Sequence, residues 1–204
     1  MRVQLQPGRS IPIFGLFLLL LPAALAAHPH VFVDSRVSAE FHDSELTHVK
    51  AHWTFDRFFT HQVKRDFHLD ESGSYSDAQV EEVRRGAFDN LKNYNYFIYV
   101  EVDGEEIESN NPQNFNVTLD EDGQLVYTFE IPVGVDVRNG GVTVEVAMYD
   151  EEYFVDMVFA DDYLTVDGSA SVNLDHSIED SVYDTGIWGP MIRERVVMDI
   201  HGIR

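Results

Sequence analysis

The 204 residues carry 36 acids against 14 lysines and arginines, a net charge of −22. Such a surface repels nucleic acid and anionic lipid and attracts cations. There is no cysteine, which excludes disulfide partners, thiolate metal sites and thiol nucleophiles, so any metal must be held by nitrogen and oxygen donors.

Residues 1–27 have the pattern of a secretory signal peptide. Arg2 and Arg9 make a positive start, Ile13–Leu21 (IFGLFLLLL) is a continuous apolar run, and Pro22 breaks it before the small-x-small site Ala24-Leu25-Ala26. The apolar run is short for a membrane span. Cleavage after Ala26 or Ala27 leaves His28-Pro29-His30 at or next to the new amino terminus. The expected product is a single β-rich periplasmic domain of about 177 residues (204 minus 27) with net charge −24 after loss of two arginines. That length is short for a two-lobed solute receptor. Only three lysines and acids scattered along the whole chain fit adaptation to salty surroundings better than a dedicated cation sink.

Residues 30–41 alternate, with Val31, Val33, Val37, Ala39 and Phe41 on one face and His30, Asp34, Arg36, Ser38 and Glu40 on the other. Residues 47–55 repeat the pattern, and 42–45 form the turn between them, so an antiparallel hairpin is predicted. Matching the apolar faces places Arg36 opposite His52 and Asp34 near Thr54. A helical period begins at Asp56, with Phe59, Val63 and Phe67 on one stripe. After the loop LDESGSYS, Ser76 caps a second helix to about Leu91, with Gln79 completing a capping box. Short strands follow at 95–102, 115–119, 125–131, 142–149, 153–159, 170–176 and 192–200. The predicted fold is mainly β (α+β), a β-sandwich with an inserted helix pair at 56–91.

His28 and His30 flank a proline that keeps the segment extended. Residues two apart on an extended chain project to one side, so both imidazoles can meet one ion. Imidazole suits zinc, nickel, cobalt and copper. Further donors are His52 and Asp56 on the hairpin face, with Asp34 beside them, and Asp150 in MYDEEYFVD. For each of these taken singly, a solvated or hydrogen-bonded side chain is the simpler reading, and His48, His61, His68, His176 and His201 read as surface or cap residues. An EF-hand alignment on Gly73 puts His68 at position 1 and Gln79 at position 12, both wrong, so calcium is not expected. No G-x-S-x-G or H-E-x-x-H is present, and Asp161-Asp162 would point to opposite faces of a strand. No enzyme is expected.

HPHVFVD after a signal peptide, HWTFDRFFT, DESGSYS before a helix, NYNYFIYVEVDG and MYDEEYFVDMVF together resemble a bacterial family of unknown function, labelled the periplasmic component of an uncharacterised ABC-type transport system. The likeness covers nearly the whole mature chain. It implies association with nickel, cobalt or zinc transport, beside or fused to membrane permeases of the nickel/cobalt export type. It marks His28, His30 and Asp34, then Trp53, Phe55 and Asp56, then Tyr149, Asp150 and Tyr153; the calcium-like loop of the family is eroded here. The expected function is a periplasmic divalent-metal-binding accessory protein that buffers or delivers an ion to a membrane transport permease. The alternative is a metal-independent β-sandwich that docks on a permease or another envelope protein through Tyr94, Tyr96, Tyr99, Tyr149 and Tyr153.

Overall fold

A computed structural model describes residues 30–109, 111–138, 140–184 and 189–203. The predicted signal peptide and His28 lie outside the described residues.

Among the described residues, ten strands build two five-stranded sheets. They are β1 (Val31–Asp43), β2 (Glu45–Phe55), β3 (Ile98–Val102), β4 (Glu105–Ile107), β5 (Gln113–Leu119), β6 (Leu125–Asp136), β7 (Gly141–Met148), β8 (Val155–Ala170), β9 (Val172–Asp184) and β10 (Pro190–Gly202). The first sheet runs β5-β6-β2-β1-β8 and the second β4-β3-β7-β10-β9. The predicted β-sandwich is thus what the chain forms. Val37, Val49 and Phe129 of the first sheet share one buried cluster with Val100, Val146 and Met198 of the second. Alternation along the central strands produces this, because one face of each, as in β1, β2, β6 and β7, is apolar. Trp53 Nε1 ties the layers by donating to Met148 Sδ at 3.2 Å.

The hairpin register is the one read from the sequence: Arg36 faces His52 and Asp34 faces Thr54. Its other neighbour departs from simple antiparallel order. β8 runs parallel to β1, from Val31 against Val155 to Asp43 against Ala170. Residues 160–163 bulge opposite Arg36, whose Nε lies 2.7 Å from Asp162 Oδ1. Near the far end Gly168 (φ +83°) allows close strand approach, since a Cβ there would lie 2.2 Å from the Phe41 carbonyl oxygen.

Two helices lie between β2 and β3, where the inserted pair was expected. The first, α1 (Arg57–Asp66), is capped by Asp56. The second, α2 (Asp77–Val83), opens with the predicted capping box: Gln79 N donates to Ser76 Oγ and Ser76 N donates to Gln79 Oε1. It does not continue as one α-helix to Leu91. It widens to a π turn over Arg84–Phe88 and tightens to a 3-10 segment over Asp89–Phe97. Phe67 packs against Gly86, where a Cβ would lie 2.6 Å from the ring. The expected strand from residue 95 begins only at Ile98, because Asn95, Tyr96 and Phe97 have φ near +50°. That turn drives Tyr96 and Phe97 into the core against Phe88 and Trp53.

Candidate functional site

Three of the predicted donors lie around the start of β1. Asp56 Oδ2 accepts from the amide of Phe32 at 2.9 Å, and its Oδ1 accepts from the amide of Phe59 at 2.9 Å. Asp150 is 3% exposed, with Oδ1 accepting from Glu152 N and Oδ2 from Phe154 N and Val155 N, at 2.9–3.1 Å. The Asp150 carboxylate therefore fastens the turn that leads into β8, and three of its roughly four acceptor positions are used. His30 is exposed; its amide donates to the Phe154 carbonyl at 2.9 Å and its ring centroid lies 4.8 Å from that of Phe154. The stretch after His-Pro-His is thus held against the Asp150 turn.

His52 lies elsewhere, on the outer face of the first sheet. Its Nε2 is 3.0 Å from Ser38 Oγ, which in turn is 2.6 Å from Thr165 Oγ1. Burial pushes the His52 pKa down; Lys50 and Arg36 add to this and Asp167 opposes it. His52, Asp34, Arg36, Asp120 and Asp122 line an open polar groove of about 420 Å³. Asp120 spends its Oδ1 on the amides of Asp122 and Gln124.

Further along the same face, Glu40, His48 and Glu130 bring one ligand atom each to within 4.8 Å of one another. Among the described residues this is the one such group of three. The strands place them: Glu40 on β1 pairs with His48 on β2, and Glu130 on β6 pairs with Lys50 on β2. The Lys50 ammonium lies 3.4 Å from Glu40 and 3.3 Å from Glu130, and Asn114 Nδ2 donates to Glu130 at 2.5 Å. Burial works against the Lys50 charge, but the hydrogen bond to Glu130 and attraction to both carboxylates leave its pKa raised. Two carboxylates and an imidazole suit a divalent transition metal, three protein ligands leaving room for water or exchange. An entering ion must displace Lys50. Sequence reading placed His48 on the surface and did not weigh Glu40 or Glu130. The hairpin register could have paired Glu40 with His48, but nothing local points to Glu130.

A further concave feature is apolar. A cavity of about 350 Å³ opens between the two sheets and the helical segment, lined by Trp53, Phe55, Phe59, Leu91, Phe154 and Met157, with Asp150 and Glu152 at its polar side. Tyr127 also lines it, and its buried hydroxyl has no hydrogen-bond partner among the described residues. Of the tyrosines considered for docking, Tyr96 is core, whereas Tyr94 is 41% exposed on the cavity lining. Tyr99 stacks on Tyr149 at 4.2 Å, and the Arg193 guanidinium lies 4.4 Å over the Tyr149 ring.

The loop at 70–76 satisfies itself: Asp70 Oδ1 accepts from Ser72 N, Ser74 N donates to Ser72 Oγ, and Lys64 pairs with Glu71.

The sequence profile of a family described as a protein of unknown function (DUF1007) matches residues 13–181. The chain belongs to this family. An uncharacterized 15.5 kDa protein in the trpE 3' region of Spirochaeta aurantia is 31% identical over 94 residues, 46% of this chain and 66% of the relative. An uncharacterized protein of Haemophilus influenzae is 25% identical over 150 residues, 72% of this chain and 69% of the relative. The chain thus spans about two thirds of the length of the curated relatives it matches.

Proposed function

We propose that this DUF1007 protein is an exported, non-catalytic accessory protein that binds zinc, nickel or cobalt in the periplasm for a membrane transport permease. The observation that carries the reading is the Glu40–His48–Glu130 group, three nitrogen and oxygen donors within 4.8 Å. The histidines of His-Pro-His supply a second, amino-terminal capture point, and the net charge of −22 concentrates cations at both. A resident lysine in the carboxylate pair makes binding reversible: Lys50 competes with the ion, and exchange rather than permanent storage results. The cargo role and the transport context also agree with the resemblance of the motifs.

The test is calorimetric titration of residues 28–204 with zinc, nickel, cobalt and copper at moderate salt. It is repeated on His28→Ala/His30→Ala and on His48→Ala/Glu130→Gln. Micromolar or tighter binding that is lost in either double variant supports the reading and assigns the ion to that site. Equal, weak binding by all three proteins overturns it and leaves metal-independent docking as the function to pursue.

A further inference from the structure

We propose that Asn114 is a positioning residue of the Glu40–His48–Glu130 group: its side-chain amide holds one oxygen of Glu130, so that the other is presented singly to the ion. The role rests on the metal-binding reading above and adds to it a neutral residue outside the three donors.

The two oxygens of Glu130 have different partners. Lys50 Nζ lies 3.3 Å from Oε1, and Asn114 Nδ2 donates to Oε2 at 2.5 Å. Glu130 is 7% exposed, so both partners matter to a carboxylate that water barely reaches. They differ in kind. Lys50 is a cation and must leave when a second cation arrives, whereas a neutral amide neither repels an ion nor competes with it. Asn114 therefore stays on Oε2 while Oε1 exchanges the ammonium for the metal. A ligating carboxylate held by an outside hydrogen bond keeps its orientation, which in metal sites is worth about 10–100-fold in affinity.

The backbone is shaped to bring Asn114 there. Gln113 pairs with Glu130 and Asn116 with Thr128, leaving Asn114 and Phe115 opposite the single residue Phe129. This bulge breaks the alternation of β5. Gln113 and Asn114 both come to the exposed outer face, and Phe115 turns inward to stack on Phe88 at 4.3 Å. Asn114 takes φ +51°, a left-handed value that glycine adopts freely and asparagine tolerates. Glycine thus satisfies the backbone, and the amide is what glycine lacks. β5 is the edge of its sheet and contributes none of the three donors. Through Asn114 it becomes the fourth strand of the site, beside β6, β2 and β1.

Zinc calorimetry and urea denaturation are run on the mature chain, residues 28–204, carrying His28→Ala/His30→Ala, so that the strand-face group is the site read. They are repeated on this background protein with Asn114→Gly, with Glu130→Gln and with both. Asn114→Gly is expected to fold and to weaken zinc binding about tenfold. Alongside Glu130→Gln, the same substitution is expected to change zinc binding by less than about twofold, because its route to the ion is gone. A merely structural asparagine moves the urea midpoint without this coupling. Independently of Asn114→Gly, the side-chain amide protons of Asn114, followed by NMR, are expected to exchange more slowly in the zinc-loaded background protein than with Glu130→Gln at the same zinc concentration. Zinc binding by Asn114→Gly within about twofold of the background, an equal loss with and without Glu130, or unslowed amide exchange overturns the role of Asn114 and leaves the metal-binding reading standing. Zinc bound by the unsubstituted protein but not by the background protein assigns the ion to the amino terminus and overturns the role of Asn114 alone. No zinc binding by either overturns both.

Discussion

Asp56 and Phe32 hold each other twice: the Phe32 amide donates to Asp56 Oδ2 at 2.9 Å, and the Asp56 amide donates to the Phe32 carbonyl at 3.0 Å. The other carboxylate oxygen caps α1, so one side chain joins the start of β1 to the start of the helix. Asp56→Ala is expected to cost about 1–2 kcal/mol, the usual loss for an N-cap. For a chain of this size that lowers the thermal midpoint by roughly 3–6 °C. Asp56→Asn, which keeps an acceptor for Phe59 but not a second for Phe32, is expected to fall between. Thermal denaturation of the three proteins checks the order.

Asp150→Ala removes the acceptor of three amides at a buried position. The expected loss is about 3–5 kcal/mol, because buried donors are left unmet. Urea denaturation measures it, and proteolysis near residues 151–154 is expected to rise in the variant. A loss under about 1 kcal/mol would mean that the turn finds other partners.

Lys50→Met leaves Glu40 and Glu130 facing each other without a cation. At neutral pH the expected destabilisation is about 1–3 kcal/mol, less than for a fully buried pair because Lys50 is half-buried. On the proposed function, zinc restores more stability to Lys50→Met than to the unsubstituted protein, since no ammonium has to leave. Thermal shift with and without zinc decides the point.

His52 links stability to pH. Burial and the nearby Lys50 depress its folded pKa below the ordinary value of 6.5. Above 6.5 both folded and unfolded chains carry a neutral ring, and the full stability is present. As pH falls below 6.5 the unfolded chain takes up a proton that the folded chain resists, so stability declines toward the depressed folded value. His52→Gln is expected to flatten this part of the profile, where pH falls below the ordinary 6.5. Denaturant midpoints across that range test it; parallel profiles would remove His52 as the cause.

Local pattern made the hairpin legible down to its register, since strict alternation allows only one pairing that buries Val37, Ala39, Val49 and Ala51 together. Ser76 and Gln79 were legible for the same reason, as a cap is written within four residues. What escaped is long-range or steric. The parallel pairing of β8 with β1 joins segments more than 120 residues apart, and no neighbouring residue encodes it. The left-handed turn at Asn95–Phe97 arises because two aromatic rings are drawn into the core, overriding a sequence that reads as strand. At the candidate sites, Asp56 and Asp150 stood out as polar residues in aromatic motifs, but a ligand aspartate and a capping aspartate are the same letter. The change to helical period at Asp56 was the available sign of a cap. Glu130 met His48 only through the stacking order of three strands.

The parallel β1–β8 contact also sets an order of events for the nascent chain. The β1–β2 hairpin is complete by residue 55, whereas the neighbour of β1 begins at residue 155. For the intervening hundred residues of synthesis or passage, β1 has an open edge carrying Phe32 and Val33 toward any other extended chain. Closing so long a loop is slow, and topologies rich in such contacts fold slowly. The window before residue 170 is therefore when an unpaired strand edge leaves this chain most open to aggregation.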